Sequence, residues 1–492
     1  MQRKTTALLT VNYFYWFVLI VLTVLIAVKS FLLPVTNDEA YSFFLIKTNY
    51  WKAMAGTANT HWLNSFFIRV FTFLFGNEPW MWRVQSVLAG AGYLFIAKKI
   101  AGSFDTVAMQ LICFSLLVFN PYLLDYFSMA RGYGLSAFFI LLSVYFLQQF
   151  YSKHKERYFF ACFVSLSAAV ISNYTSLYFF LSSALLLTLF LVLKKGGIVK
   201  GIFKSGLFTR TWLIAVAISF IAIANLFFIK YYTSDLEFGS DHSFARDTFG
   251  SMLQYSAYLV FNETMAAVLG YVLLLSILLL SSIIIKRTYP DRPVAETWIA
   301  SALLLTIGLS TLFFYLLKNP YIVERGTLVF FPVVILVLCK GVTFLQRSFS
   351  EKLSRMILGV LSFLFVLNTA FNYKLTSTLD WKENTDTPLM LNDIKKMSGV
   401  NTSIKVGMHR VHYGVFKNYY SVVTDQFKDW DVVFFSDEEL LHPNQNTVNK
   451  LNDLDFVISS IKTNPALFNN DSSKYILVKQ YRLGGDILLR RK

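Results

Sequence analysis

The sequence predicts a polytopic α-helical membrane protein that ends in a small α/β domain. Three observations predict it. Of 492 residues, 55% are hydrophobic and only 15% charged, with a mean hydropathy of +0.51, a balance far from that of a soluble globular chain. Apolar stretches of about 20 residues, the length a helix needs to cross a bilayer, recur as far as residue 373. Beyond that point the pattern changes to short β-rich runs separated by polar segments.

The elements follow in order. The N-terminal "MQRKTTALL" leads into an apolar run that is too long for the core of a signal peptide and lacks a small-residue cleavage site, so it reads as an uncleaved first span. Eleven spans are expected, near 12–33, 80–98, 107–124, 133–150, 158–172, 177–193, 211–230, 264–285, 297–317, 326–345 and 355–373, with "SNYTS" marking either a boundary between two spans or a break in one long helix. The loops then sort by charge. "AKKIAG", "YSKHKERY", "KKGGIVKGIFKSGLFTR", "KRTYPDRP" and "QRSFSEKLSR" are dense in Lys and Arg, whereas "NDEAYS", "NPYLLDYFS", "SNYTS", "YYTSDLEFGSDHS" and "KNPYIVE" are not. The positive-inside rule places the basic group and the N-terminus in the cytoplasm and residues 374–492 outside. The protein is thus expected in the plasma or inner membrane. The +16 formal charge belongs to cytoplasmic loops on this reading, and no nucleic-acid partner is expected.

In the tail, "IKVGMHRV", "DWDVVFFS", "LDFVISS" and "KYILVKQYRLGGDILLRRK" read as strands, the last pair closed by a hairpin at "RLGG", and "TPLMLNDIKKMSG" as a helix. The expected domains are therefore 1–373 and 374–492. Cys113, Cys162 and Cys339 lie in apolar runs with no CxxC spacing, which argues against a disulfide framework and a cysteine metal site. The "GYG" and "GG" pairs lack the flanking spacing of a phosphate-cradling loop.

The external loop at 34–79 is too long for a simple turn, and long ordered loops usually carry function. Within it, "TNDEAYSFFLIKTNYW" reads as a helix with Thr36 or Asn37 as N-cap and Asp38 and Glu39 in its first turn. In "THWLNSFFIRVFTFLFG", helical spacing puts His61, Asn64, Ser65, Arg69 and Thr72 on one side and Phe66, Phe67, Val70, Phe73 and Leu74 on the other, as in an amphipathic helix at a membrane surface. The carboxylates Asp38 and Glu39 have a plain structural use, since acidic residues in a first turn favour the helix dipole. Arg131 stands apart, because it lies on the outer side, where the charge bias argues against Arg. Asp125 is its nearest candidate partner in the sequence.

Taken in order, "DEAY" after the first span, "HWLNSFFIRVFTFLFGNEPWMWRVQSVLAG", "NPYLLDYFSMARGYGLSAFF" and the late "ERGTLVFFPVVILVL" resemble the GT-C superfold of polyprenyl-phosphate-dependent glycosyltransferases. Within that superfold the sequence resembles the branch that holds the protein O-mannosyltransferases and the lipid A aminoarabinose transferases. The resemblance spans roughly the first 345 residues and rests on motif order. It implies that Asp38, with Glu39 beside it, is catalytic, and that Arg83, Arg131 and Arg325 bind donor phosphate. It also implies that His61, Tyr133 and Glu324 contact substrate. The chain departs from the family where a His-Pro-Pro or Lys-Pro-Pro element is common, having "THWLNS" instead, and has Gly326 where an aromatic is common.

The implied reaction moves a sugar from a polyprenyl-phosphate donor to a hydroxyl or amine of a lipid, glycan or protein acceptor at the outer face of a bacterial cell envelope. The leaving group is a lipid phosphate, whose growing negative charge asks for fixed cations, and an acceptor hydroxyl asks for a carboxylate base. A single displacement inverts the anomeric centre and needs no second catalytic carboxylate. No cofactor is expected; the alternative that ligand type allows is a divalent metal on Asp38, Glu39 and His61. Competing functions are a lipid-linked oligosaccharide ligase or polymerase and, in another class, a multi-span transporter. The absence of internal repeats and the gathering of polar residues on the outer side argue against the transporter.

Overall fold

The computed structural model describes residues 2–50, 61–193, 210, 213–214, 216–225, 239–288, 295–345, 351–399, 403–436, 438–439, 445–460, 475–481 and 486–491. The basic loops at 194–209, 289–294 and 346–350, the end of the span expected at 211–230 and the hairpin turn at 482–485 lie outside the described residues.

The principal helices are α1 (Gln2–Leu32), α2 (Asn37–Thr48), α3 (Trp62–Phe75), α4 (Val84–Ala101), α5 (Val107–Val118), α6 (Pro121–Phe127), α7 (Gly132–Lys153), α8 (Glu156–Ser172), α9 (Leu177–Leu193), α10 (Glu263–Thr288), α11 (Ala295–Leu317), α12 (Phe331–Leu345) and α13 (Glu351–Asn372). Among the described residues, five helices are long and apolar enough to cross a membrane: Thr10–Leu32, Gly132–Lys153, Glu263–Thr288, Ala295–Leu317 and Arg355–Asn372. The pair α5 and α6 adds a sixth if counted as one broken span. The protein is a multi-pass membrane protein of mostly helical build. Large apolar side chains such as Phe17, Ile20, Val24, Val268 and Leu275 are exposed along these helices, as lipid-facing surfaces require.

Three expected spans differ in detail. The stretch at 107–124 is not a single straight span: α5 and α6 meet at a 58° bend. Pro121 has no N–H to continue the helix and holds Asn120 in extended backbone (φ −120°, ψ 106°), and the Asn120 side chain caps α6 by accepting from the Leu123 N–H at 3.1 Å. At "SNYTS", α8 stops at Ser172, and Asn173, extended and accepting from the Thr175 N–H, starts a 3₁₀ turn before α9. The last apolar stretch before α13 opens with a 3₁₀ turn, Glu324–Val329, ahead of α12.

The chain divides into two compact units. The first comprises Met1–Ala27, Met54–Phe67 and Arg83–Tyr373; the second joins Lys374–Lys492 to Val28–Ala53 and Ile68–Trp82. Within the second lies a five-stranded sheet of order β2-β1-β3-β5-β4, formed by β1 (Ile404–His409), β2 (Trp430–Phe435), β3 (Phe456–Ser460), β4 (Tyr475–Gln480) and β5 (Asp486–Arg491). β1 pairs in parallel with β2 and β3, while β5 runs antiparallel to β3 and β4. Every strand read from the sequence is present. Val406 and Met408 of β1 and Phe456 and Ile458 of β3 pack with Met390, Leu391 and Ile394 of α14 (Thr387–Ser398), and Val457 and Leu489 pack with Phe435 and Leu454. The strand period of two thus buries both faces.

Candidate functional site

In the first unit, the polar residues at the start of α3, Asn64 and Ser65, are buried together with His61 just before it, whereas Phe66 is exposed. The polar side does structural work. Asn64 Nδ2 donates to the Ala130 carbonyl at 2.8 Å, and Gln85 Nε2 donates to Asn64 Oδ1 at 3.0 Å, so α3 and α4 together hold the turn that presents Arg131. Arg131 itself is in extended backbone (φ −130°, ψ 148°) directly before α7, and is 1% exposed. Its candidate partner Asp125, buried in α6, accepts a hydrogen bond from the Tyr258 hydroxyl at 2.7 Å.

Around Tyr133 four of the residues singled out in the sequence come together. The His61 ring meets the Tyr133 ring edge-on at 4.9 Å, and the guanidinium carbons of Arg131 and Arg325 each lie 5.9 Å from its centroid. Tyr126 packs on the same ring at 5.0 Å. Burial, and then the charges of Arg131 and Arg325, hold the His61 imidazole well below its usual pKa, so it is neutral at physiological pH. Among the described residues its Nε2 has no hydrogen-bond partner. The close approach depends on Gly132, where a Cβ would come within 1.9 Å of the Ser172 carbonyl oxygen and 2.7 Å of His61 Cβ. Only glycine admits both neighbours.

Arg325 is placed by the 3₁₀ turn before α12. Glu324, at φ +50°, takes the left-handed conformation uncommon for a non-glycine residue, and its N–H donates to Ser251 Oγ at 2.5 Å. The Glu324 backbone thus shapes the turn that carries Arg325. Arg83, fully buried, begins α4, and its carbonyl accepts from the Ser86 and Val87 N–H groups at 3.0 Å. It is enclosed by protein, unlike a snorkelling anchor.

The second unit holds the carboxylates. Thr36, in extended backbone, is the N-cap of α2; its Oγ1 accepts from the Glu39 N–H at 3.4 Å, and Glu39 Oε2 accepts from the Thr36 N–H and Oγ1, each at 3.1 Å. This is a capping box. Glu39 is completely buried in that duty, whereas Asp38, 5% exposed, lies in the same first turn outside the box. The two adjacent acids are therefore not equivalent. Among the described residues no three His, Cys, Asp or Glu side chains group closely enough to hold a metal ion.

With this arrangement in view, the solved structures are informative. The chain is similar to the crystal structure of ArnT from Cupriavidus metallidurans in the apo state, over 97% of this chain and 98% of that one, with a TM-score of 0.50 and 10% sequence identity. The chain has the GT-C fold. ArnT from the same organism bound to undecaprenyl phosphate also matches, over 97% of each chain, with a TM-score of 0.49 and 10% identity. The arabinosyltransferase EmbB from Mycobacterium smegmatis matches over 66% of this chain and 30% of its own length, with a TM-score of 0.42 and 12% identity. No family model and no curated protein matches the sequence. The GT-C resemblance read from motif order is thus borne out as a fold, at an identity too low for residue roles to transfer.

Gly132 and Gln85 escaped the sequence reading, and Asn64 was read only as part of a polar helix face. The signal at Gly132 was present in "ARGYG", an Arg followed by two glycines opening a helix, but its meaning depended on which chain segments approach it.

Proposed function

We propose that the protein is a membrane glycosyltransferase that moves a sugar from a polyprenyl-phosphate donor to an acceptor hydroxyl or amine with inversion. The observation that carries this reading is the grouping of Arg131 and Arg325 around Tyr133 beside a neutral His61. Such a cluster concentrates positive charge and hydrogen-bonding capacity for a phosphate. Arg131 and Arg325 would stabilise the charge that grows on the lipid phosphate as the anomeric C–O bond breaks. His61 and Tyr133 would orient the donor head, and Arg83 would support phosphate binding.

Asp38 is the proposed base, taking the proton of the attacking acceptor. Its support is chemical: it is a buried carboxylate in the long external loop, and the capping of its helix is already accomplished by Thr36 and Glu39. Glu39 would act by fixing that helix. The proposed reaction draws on these side chains and needs no cofactor. The charge bias of the loops supports an outer-face reaction, with a cytoplasmic N-terminus and 374–492 outside. Purified protein incubated with a panel of radiolabelled polyprenyl-phosphate sugars, together with lipid, glycan and peptide acceptors, should transfer label from at least one donor. Failure of every donor to bind or react would remove this reading.

A further inference from the structure

The helix that carries Asp38 is tied to a part of the chain more than 300 residues away. The Asn37 N–H, at the start of α2, donates to Asn384 Oδ1 at 2.9 Å, and Asn384 Nδ2 donates to the Val411 carbonyl at 3.4 Å. Just upstream, the fully buried Lys29 donates to the Ser377 carbonyl at 2.8 Å. On the apolar side, Phe43 of α2 meets Tyr419 edge-on at 5.9 Å, and Trp82 packs on both, at 4.2 Å from Phe43 and 5.4 Å from Tyr419. At Gly414 in α15 (Arg410–Val415), an added Cβ would lie 2.0 Å from Asn37 Oδ1.

The far side of this contact is itself braced by buried polar groups. His412 Nδ1 lies 2.9 Å from Thr387 Oγ1 and His412 Nε2 3.4 Å from Asp486 Oδ1, all three side chains being buried. Asp486 opens β5, so His412 lies between the sheet and the helix whose Val411 carbonyl accepts from Asn384. An isolated display domain has no need of such a connection. A structure that must keep one short external helix in register does.

We propose that Asn384 and Gly414 are positioning residues for transfer: residues 374–492 form the platform that holds α2, and with it Asp38, in its reactive setting. This rests on the reading of Asp38 as the base. Asn384 supplies the acceptor that fixes the first free N–H of α2, a group that a helix leaves without an internal partner. Gly414 supplies the space in which the Asn37 side chain sits.

The test uses the full-length protein in detergent micelles. In Asn384→Ala, amides of 37–48 should exchange about tenfold faster, the effect of losing roughly one hydrogen bond's stabilisation, and in Gly414→Ala, where the added Cβ displaces the Asn37 side chain, the same amides should exchange faster by a smaller factor, while amides of β1 and β3 exchange as in wild type in both. The kcat for label transfer should fall by about 10²-fold, as expected when a reacting group is misplaced, with the KM for the polyprenyl-phosphate donor within about twofold of wild type. Asn384→Asp keeps the oxygen that accepts from the Asn37 N–H but loses the donor to the Val411 carbonyl, so it should restore both values in part. Unchanged exchange in 37–48 would overturn the proposal, as would faster exchange with unchanged kcat. So would equal impairment of Asn384→Asp and Asn384→Ala with faster exchange throughout the sheet, since the defect would then be one of folding. Failure of the Asp38 reading shows separately, as an active Asp38→Asn enzyme with wild-type exchange in 37–48; the link between platform and transfer would fall with it.

Discussion

Arg131 and Arg325 approach one tyrosine ring in the first unit, whereas Asp38 and Glu39 share the first turn of a capped helix in the second. The two charged regions are built on different terms. In the acidic helix, Glu39 is accounted for by its neighbours, because its carboxylate receives the N–H and hydroxyl of Thr36. In the cationic cluster, two like charges gather at a ring beside a histidine that they help keep neutral, an arrangement that folding alone does not favour. The difference teaches that charge is placed in two ways. Glu39 is held by its own helix terminus, whereas Arg131 and Arg325 are brought to one ring by segments far apart in the chain.

The strongest way to break this comparison is Asp38→Asn. Asn preserves shape but not basicity, so transfer should fall by about 10²–10⁴-fold, while the thermal midpoint stays put, since Thr36 rather than Asp38 caps α2. An active variant would make both acids structural. Next comes Arg131→Ala, for which transfer should drop by about 10²–10³-fold with weakened binding of polyprenyl phosphate; Arg131→Lys should recover only part, because a point charge cannot reproduce the guanidinium fork. Wild-type turnover in Arg131→Ala would end the phosphate assignment. Gly132→Ala sharpens the contrast from the packing side. Its Cβ would meet the Ser172 carbonyl and His61, and chemical denaturation should show a loss of about 1–3 kcal/mol, the usual cost of overpacking.

Two smaller effects complete the comparison. His61 has its pKa lowered in the folded state from 6.5, so below about pH 6.5 the unfolded chain binds the extra proton and the folded one does not. Its contribution to stability is therefore steady above that pH and declines as pH falls toward the depressed folded value, by at most about 1.4 kcal/mol per pH unit. Melting curves between pH 7.5 and 5.5 should show a steeper decline for wild type than for His61→Gln. Glu39→Gln is expected to change least, with activity within a few-fold of wild type, because Gln serves in a capping box as Glu does. A loss as large as that of Asp38→Asn would show that Glu39 also acts chemically.

Much of the fold was legible because its causes are local. Apolar length marked membrane helices, alternating apolar residues marked β1 to β5, and "TNDE" marked the start of α2 with its cap. The bend at 119–120 was written in "NP" as well, yet hydropathy averages over a proline and reported one span. In the site, Arg131, Tyr133, His61 and Arg325 were visible as charged or aromatic residues set against apolar surroundings. Their convergence on one ring was not, since they come from three separated stretches and nothing in their spacing states which will meet.

By itself the sequence determined the class of the protein, the order of its elements and the chemical types available to its site, because hydropathy, helix capping and strand alternation act over a few neighbouring residues. Only the tertiary structure decided that Gly132 opens the room in which His61 reaches Tyr133 and that Asn384 and Gly414 receive Asn37. Those are decisions of close packing and of which buried donors find which acceptors. They depend on contacts between segments up to 347 positions apart, where loop closure and side-chain fit, not local propensity, select the partner.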